Sequence, residues 1–264
     1  MQDYKIQVEK LTKVFKTKSG PITAVKNLDF GINNHELVSL LGPSGCGKST
    51  VIRLLNGIIT PTYGKITISG ETFENGVKGN VLRKMGFIFQ SPNLLPWLTI
   101  RKNLELPLKI FGLDEKKWFN NIDRLLEMVG LKECAHLYPY ELSGGMLQRI
   151  GVIRAMVHEP EILFMDEPFG SLDELNRERL DMETLKVWKE TGKTIIFITH
   201  NVGEAILISS RIIVMGTDPG RIIDEVKINL PAERTVNLIT EPEFIDYQEK
   251  IINLIGKVDL DRIK

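Results

Sequence analysis

From Gly42 to Thr50 the chain reads Gly-Pro-Ser-Gly-Cys-Gly-Lys-Ser-Thr, the spacing of a loop that wraps phosphate. Glycines at this spacing let backbone N–H groups turn toward an anion. The start of the helix that follows adds about half a positive charge. Gly42, Pro43, Ser44, Gly45, Cys46 and Gly47 would form the cradle, with Lys48 reaching the β and γ phosphates. Ser49 would put its hydroxyl on Mg²⁺, and Thr50 would continue the helix while facing the phosphates. A bare match to the pattern can also be an ordinary turn; the strand before it and the helix after it favour the cradle.

A second cluster lies downstream. An apolar run ends in Asp166-Glu167-Pro168. Alone, this is a solvated strand end; after a phosphate loop, Asp166 is placed to bind Mg²⁺ through water and Glu167 to orient or deprotonate an attacking water. His200 closes a later strand, where it could touch a γ-phosphate or be a satisfied structural residue. Gln90 could bind Mg²⁺ or water, or be a surface residue. Ser143-Gly144-Gly145 opens a helix with Ser143 as its N-cap, a second anion site. One cradle already serves one nucleotide, so a second anion-binding helix start suggests a nucleotide shared between two chains.

These residues need an α/β scaffold. Residues 4–8 and 22–32 read as strands around a turn at 16–21, an antiparallel start. Residues 36–41 form a buried strand that leads through the glycine loop into a helix over 48–56. Short strands at 65–68 and 86–89 extend the sheet, the first followed by a polar stretch over 69–80. From 100 to 157 the spacing turns helical, through Trp118, Ile122, Leu125, Leu126 and Val129, then Met146, Leu147, Ile150, Ile153 and Val157. Strands at 161–165, 194–199 and 211–215, with a polar helix over 173–190, imply a parallel sheet with right-handed crossovers. After a linker over 231–242, Phe244, Tyr247, Ile251, Leu254 and Ile255 mark one face of a terminal helix that packs on the main body.

Composition narrows the classes. Among 264 residues, 34 Lys plus Arg balance 34 Asp plus Glu, so no net field holds a nucleic acid. The longest apolar run, 205–215, contains Ser209, Ser210 and Arg211 and falls short of the ~20 residues of a membrane span. The start lacks the pattern of a signal peptide. Cys46 and Cys134 suggest neither a disulfide framework nor a zinc site, so a reducing cytoplasm is expected.

In this order the motifs resemble the nucleotide-binding subunit of an ATP-binding cassette (ABC) transporter, over residues 4 to about 230. The Walker A motif is Gly42 to Thr50, the Q-loop is Gln90, the signature runs from Leu142 to Gln148, and Walker B ends at Glu167. The D-loop is Ser171-Leu172-Asp173, and the switch histidine is His200. The resemblance implies a P-loop NTPase (RecA-like) core with an N-terminal antiparallel β-subdomain and an α-helical subdomain inserted at about 91–158. The ATPase domain would span 1–230, and a linker and amphipathic helix 231–264. Phe15 matches the family's adenine-stacking aromatic, a contact of about 1–3 kcal/mol; periodicity alone would make it core.

The resemblance further implies ATP and Mg²⁺ as cofactors and a head-to-tail homodimer, in which Ser143 to Gly145 of one subunit close over ATP on the cradle of the other. Two membrane permease subunits would dock near Gln90 and Trp97, with Leu94, Leu95 and Trp97 exposed as a groove wall; Trp97 as core is the alternative. Met146 stands where the common signature has Gln, a variant that resembles importers of nitrate, sulfonates and taurine; Arg234-Thr235 and Pro242 to Tyr247 resemble the same group. That implies a small anionic solute, a solute-binding protein and a place at the cytoplasmic face of the membrane, with ATPase activity surviving the change at Met146. A soluble cassette acting on DNA or ribosomes would carry a second cassette or a coiled-coil insertion, and neither pattern is present; a kinase would leave the signature helix start without a role.

Overall fold

The computed structural model describes residues 4–113, 115–170, 174–231 and 233–260. Strands β1 (Ile6–Thr17) and β2 (Gly20–Ile32) form a long antiparallel hairpin. β1 runs well past the expected end at Val8, because register shifts between Val8 and Val14 break the alternation by which a strand is read. The buried strand β3 (Leu37–Leu41) leads through the glycine loop to helix α1 (Lys48–Leu55). β4 (Tyr63–Ile68) and β5 (Glu71–Phe73) complete an antiparallel sheet in the order β2-β1-β4-β5. β5 lies in the stretch read as merely polar.

β6 (Met85–Ile88) joins a different sheet, so the two strands expected to extend one sheet belong to two. Helices α2 (Ile100–Ile110), α3 (Glu115–Met128) and α4 (Gly144–Met156) occupy the helical stretch. There follow β7 (Ile162–Asp166), α5 (Glu174–Thr191), β8 (Thr194–Thr199), α6 (Val202–Ile208), β9 (Arg211–Gly216), β10 (Arg221–Lys227) and α7 (Pro242–Leu260). The second sheet runs β10-β9-β3-β8-β7-β6; from β9 to β6 all neighbours are parallel, and β10 pairs antiparallel at the edge.

Strands β3, β7 and β8 are almost entirely apolar because both of their faces are covered. Alternate residues part to opposite sides. Leu37, Leu41, Leu163, Met165, Ile195 and Phe197 join a core with the helices α2, α3, α4, α6 and α7. Val38, Leu40, Ile162, Phe164, Ile196 and Ile198 join another with α1 and the antiparallel sheet. The apolar run 205–215 is two elements, the end of α6 and most of β9. They turn at Ser209, whose buried hydroxyl lies 2.5 Å from that of Ser39, and Ser210, which donates to Leu37 O. Among the described residues no helix is long and apolar enough to cross a membrane.

Phe164→Ala empties a fully buried site in β7 and is expected to cost about 3–5 kcal/mol, read from urea midpoints at constant slope. Ile22→Ala, on the exposed side of β2, is expected to stay within about 0.5 kcal/mol. Equal losses in the two variants would contradict this placement of the core.

Candidate functional site

The cradle is built from backbone. Gly45 and Gly47 have φ of +83° and +94°, which only glycine adopts without strain. A Cβ on Gly42 would stand 2.4 Å from Met215 O, and one on Gly47 would stand 2.5 Å from Val25 Cγ1. The loop is therefore pinched between β9 and β2. Gly47, at the N-cap of α1, offers no side chain to the helix start, so its orphan N–H groups stay available to an anion. Lys48 is buried, its Nζ donating to Gly42 O at 2.7 Å and Pro43 O at 3.1 Å. Burial pushes the Cys46 thiol up, although Lys48 pulls the other way; Cys46 is a protonated filler under the loop. Ser44 is exposed at the loop tip, and Thr50 is half-buried in the first turn of α1.

The carboxyl ends of β7 and β8 bring the other candidates to this edge. Ser49 Oγ donates to Asp166 Oδ1 at 3.1 Å, so the hydroxyl and carboxylate expected to hold Mg²⁺ already converge. Among the described residues no cluster of three His, Cys, Asp or Glu could hold a metal by itself. This donor set suits Mg²⁺, which takes few protein oxygens and completes its shell with phosphate and water. Glu167 has φ +46°, unusual for a side chain with a Cβ, and its N–H donates to Ile198 O at 3.1 Å. His200 Nδ1 lies 3.2 Å from Glu167 Oε2. Gln90 is exposed; its Nε2 and Glu167 Oε2 both lie within 4 Å of where a Gly170 Cβ would stand.

Other candidates lie apart from this cluster. Ser143 caps α4, accepting from Met146 N–H at 3.4 Å, and a Cβ on Gly144 or Gly145 would meet no atom within 4 Å. That helix start faces open space. Met146 turns its side chain into the helical core, so replacing Gln there leaves the cap intact. Phe15 is not core. It pairs with Ile22 at the far end of the hairpin, 39% exposed, three residues along β2 from the contact with Gly47. Trp97 is also not core, at 70% exposed, but Leu94 and Leu95 are half-buried rather than exposed, and Leu94 packs on the helical core. Asp173, with Ser171 and Leu172, lies outside the described residues.

Some supporting contacts carry no local sequence signal. Gln148, in α4, donates to Pro168 O directly after Glu167. Arg154, also in α4, donates to Pro92 O at 2.7 Å and Asn93 O at 2.8 Å, and Asn103 holds the backbone of Leu95, Leu98 and Thr99. The Thr199 hydroxyl donates to the buried Glu204 carboxylate. Only spatial neighbours show that these polar groups are paired.

A phosphate cradle between a parallel strand and its helix, with a hydroxyl–carboxylate pair and a glutamate–histidine pair at the same sheet edge, defines a P-loop NTPase. The model of the ABC transporter family matches residues 25–170, and the chain belongs to that family. It is 38% identical over 256 residues to a nitrate import ATP-binding protein of Synechocystis, covering 95% of this chain and 94% of that one. It is 37% identical over 256 residues to a taurine import ATP-binding protein of Pelagibacter ubique, covering 95% of each. A dimeric ATP-binding cassette solved in a post-hydrolysis state with ADP and Pi matches with a TM-score of 0.75 and 32% identity, over 86% of this chain and all of that one.

Burial first, then the charge of Glu167, hold the Asp166 carboxyl above its usual range, against the Ser49 hydrogen bond. A carboxyl with a raised folded pKa binds its proton more tightly folded than unfolded. The nucleotide-free protein therefore loses stability through this group as pH rises from the ordinary carboxylate range through the raised value. Asp166→Asn is expected to melt higher than the parent at pH 7 without nucleotide, by about 2–4 °C per kcal/mol relieved, and the gap should close below about pH 4. A lower melting temperature at pH 7 would contradict it.

Proposed function

We propose that this chain is the ATP-hydrolysing subunit of an importer for a small anionic solute, working as a head-to-tail homodimer at the cytoplasmic face of the membrane. The observation that carries the reading is the split of the anion sites. Lys48, the Ser49–Asp166 pair and the Glu167–His200 pair gather at one sheet edge, while the Ser143 helix start opens onto empty space. A second copy supplies the missing half. Its Ser143 to Gly145 segment closes over the γ-phosphate of the ATP seated in this cradle, and two ATP become part of the interface.

In that dimer Lys48 leaves the loop carbonyls for the β and γ phosphates, and Phe15 stacks on adenine. Ser49 and Asp166, together with Gln90, would hold Mg²⁺, which would supply positive charge to offset that of the phosphates. Glu167 orients or deprotonates the attacking water, and His200, 3.2 Å from it, reaches the γ-phosphate. Asp173 contributes at the same interface. ATP favours the closed dimer because it binds that state better, and hydrolysis removes the preference.

The segment from Gln90 to Trp97 meets two membrane permease subunits. It is held by Arg154 and Asn103, and it leaves Trp97 exposed as an apolar anchor for a partner helix. Likeness to nitrate and taurine import proteins supports the anionic cargo, which a separate solute-binding protein would deliver.

Glu167→Gln is expected to bind ATP, slow turnover by about 10²–10⁴-fold and elute as a dimer with ATP in EDTA, measured by gel filtration with light scattering. A variant that stays monomeric under saturating ATP would sink the shared-nucleotide reading.

A further inference from the structure

The segment after β10 grips the helix that follows the switch histidine. α6 has seven residues, too few to hold itself as a helix, so its position depends on the core it packs into and on what binds its two ends. At its start, Asn201 caps it by accepting from Glu204 N–H at 3.0 Å, and Asn201 N–H donates to Thr199 Oγ1 at 2.9 Å. Thr199 in turn donates to Glu204. Both neighbours of His200 in the chain are therefore tied to α6.

At the other end, Arg234 Nη1 donates to Ile206 O at 3.1 Å, Leu207 O at 3.0 Å and Ser209 O at 2.6 Å. These are carbonyls that a helix leaves unpaired at its C-terminus, where a cation also suits the helix dipole. Burial works against the charge of Arg234, with Tyr247 pulling the other way, and the three carbonyls give its partly buried donors their partners. α7 completes the grip. Phe244 and Ile251 are fully buried in one core with Ala205, Ile206, Leu207 and Ile208, and the Tyr247 hydroxyl accepts from Asn229 N–H at 3.1 Å.

We propose that Arg234 is a positioning residue for ATP hydrolysis: through α6 and the Thr199–Glu204 pair it sets where His200 meets Glu167. The inference rests on the roles given above to those two residues. Arg234 touches none of the cradle residues, so its loss should act on turnover and leave nucleotide binding alone. Arg234→Met keeps the length of the side chain and removes its donors. In the full-length chain it is expected to lower kcat about tenfold or more, as a displaced catalytic group does, with KM for ATP within about twofold.

Among the four histidines, the ring signals of His200 should move in NMR spectra of Arg234→Met and those of His35, His136 and His158 should not. Arg234→Lys, which returns a cation and three donors, should recover most of the lost kcat. Thr199→Val cuts the same linkage without touching the C-terminal segment and should give the same kinetic signature. An unchanged kcat in Arg234→Met, a KM that rises as kcat falls, or an unmoved His200 signal would overturn the proposal. The Glu167→Gln dimer assay fails on its own if the underlying reading is wrong, so the two failures are distinguishable.

Discussion

A triphosphate brings several negative charges to a partly dry sheet edge, and most of them must be met by N–H groups that nothing else uses. That requirement shapes the loop between β3 and α1. Gly45 and Gly47 take backbone angles closed to other residues, and Gly42 and Gly47 lie so close to Met215 and Val25 that a Cβ would collide. The pinch ties the cradle to both sheets, because Val25 belongs to the antiparallel hairpin and Met215 to the parallel sheet. The N–H of Gly220 donates to Ala24 O at 3.1 Å, closing the seam beside it. Moving either sheet would deform the phosphate site.

Helix α4 links that site to the segments that must sense it. It begins at the Ser143 cap, donates through Gln148 to the turn after Glu167, and ends by holding the loop after Gln90 through Arg154. A displacement of the cap by a partner's nucleotide would reach both the hydrolytic turn and the exposed Trp97 through one rigid element. α6 and the segment around Arg234 hold the remaining side, behind His200.

Much of this was legible in the sequence, for physical reasons. The central strands are buried on both faces and read as apolar runs; residues 194–199 coincide with β8, and 161–165 differ from β7 by one residue at each end. The cradle is a local motif whose neighbours in the chain are its neighbours in space. The short strand β5 is mostly exposed and polar, and the second half of α6, Ala205 to Ile208, is wholly apolar, so it merged with β9 into one run. The alternation of β1 fails at its register shifts, so periodicity alone would bury Phe15, which is in fact exposed near the end of the hairpin. Gln148–Pro168, Thr199–Glu204 and Arg234 with α6 pair groups that no spacing rule joins, and only the fold reveals them.

The central claim is that each ATP site is made by two chains, and complementation tests it most directly. Lys48→Ala breaks the cradle, and Ser143→Arg breaks the helix start that closes over it; each variant alone is expected to hydrolyse almost no ATP. In a mixed dimer one site combines both defects, while the other joins the intact cradle of one chain to the intact Ser143 of its partner. Mixing the two variants should therefore restore phosphate release toward half the parent rate for each mixed dimer formed. A mixture as inactive as its components, under conditions where mixed dimers are seen, would mean that each chain builds its site alone.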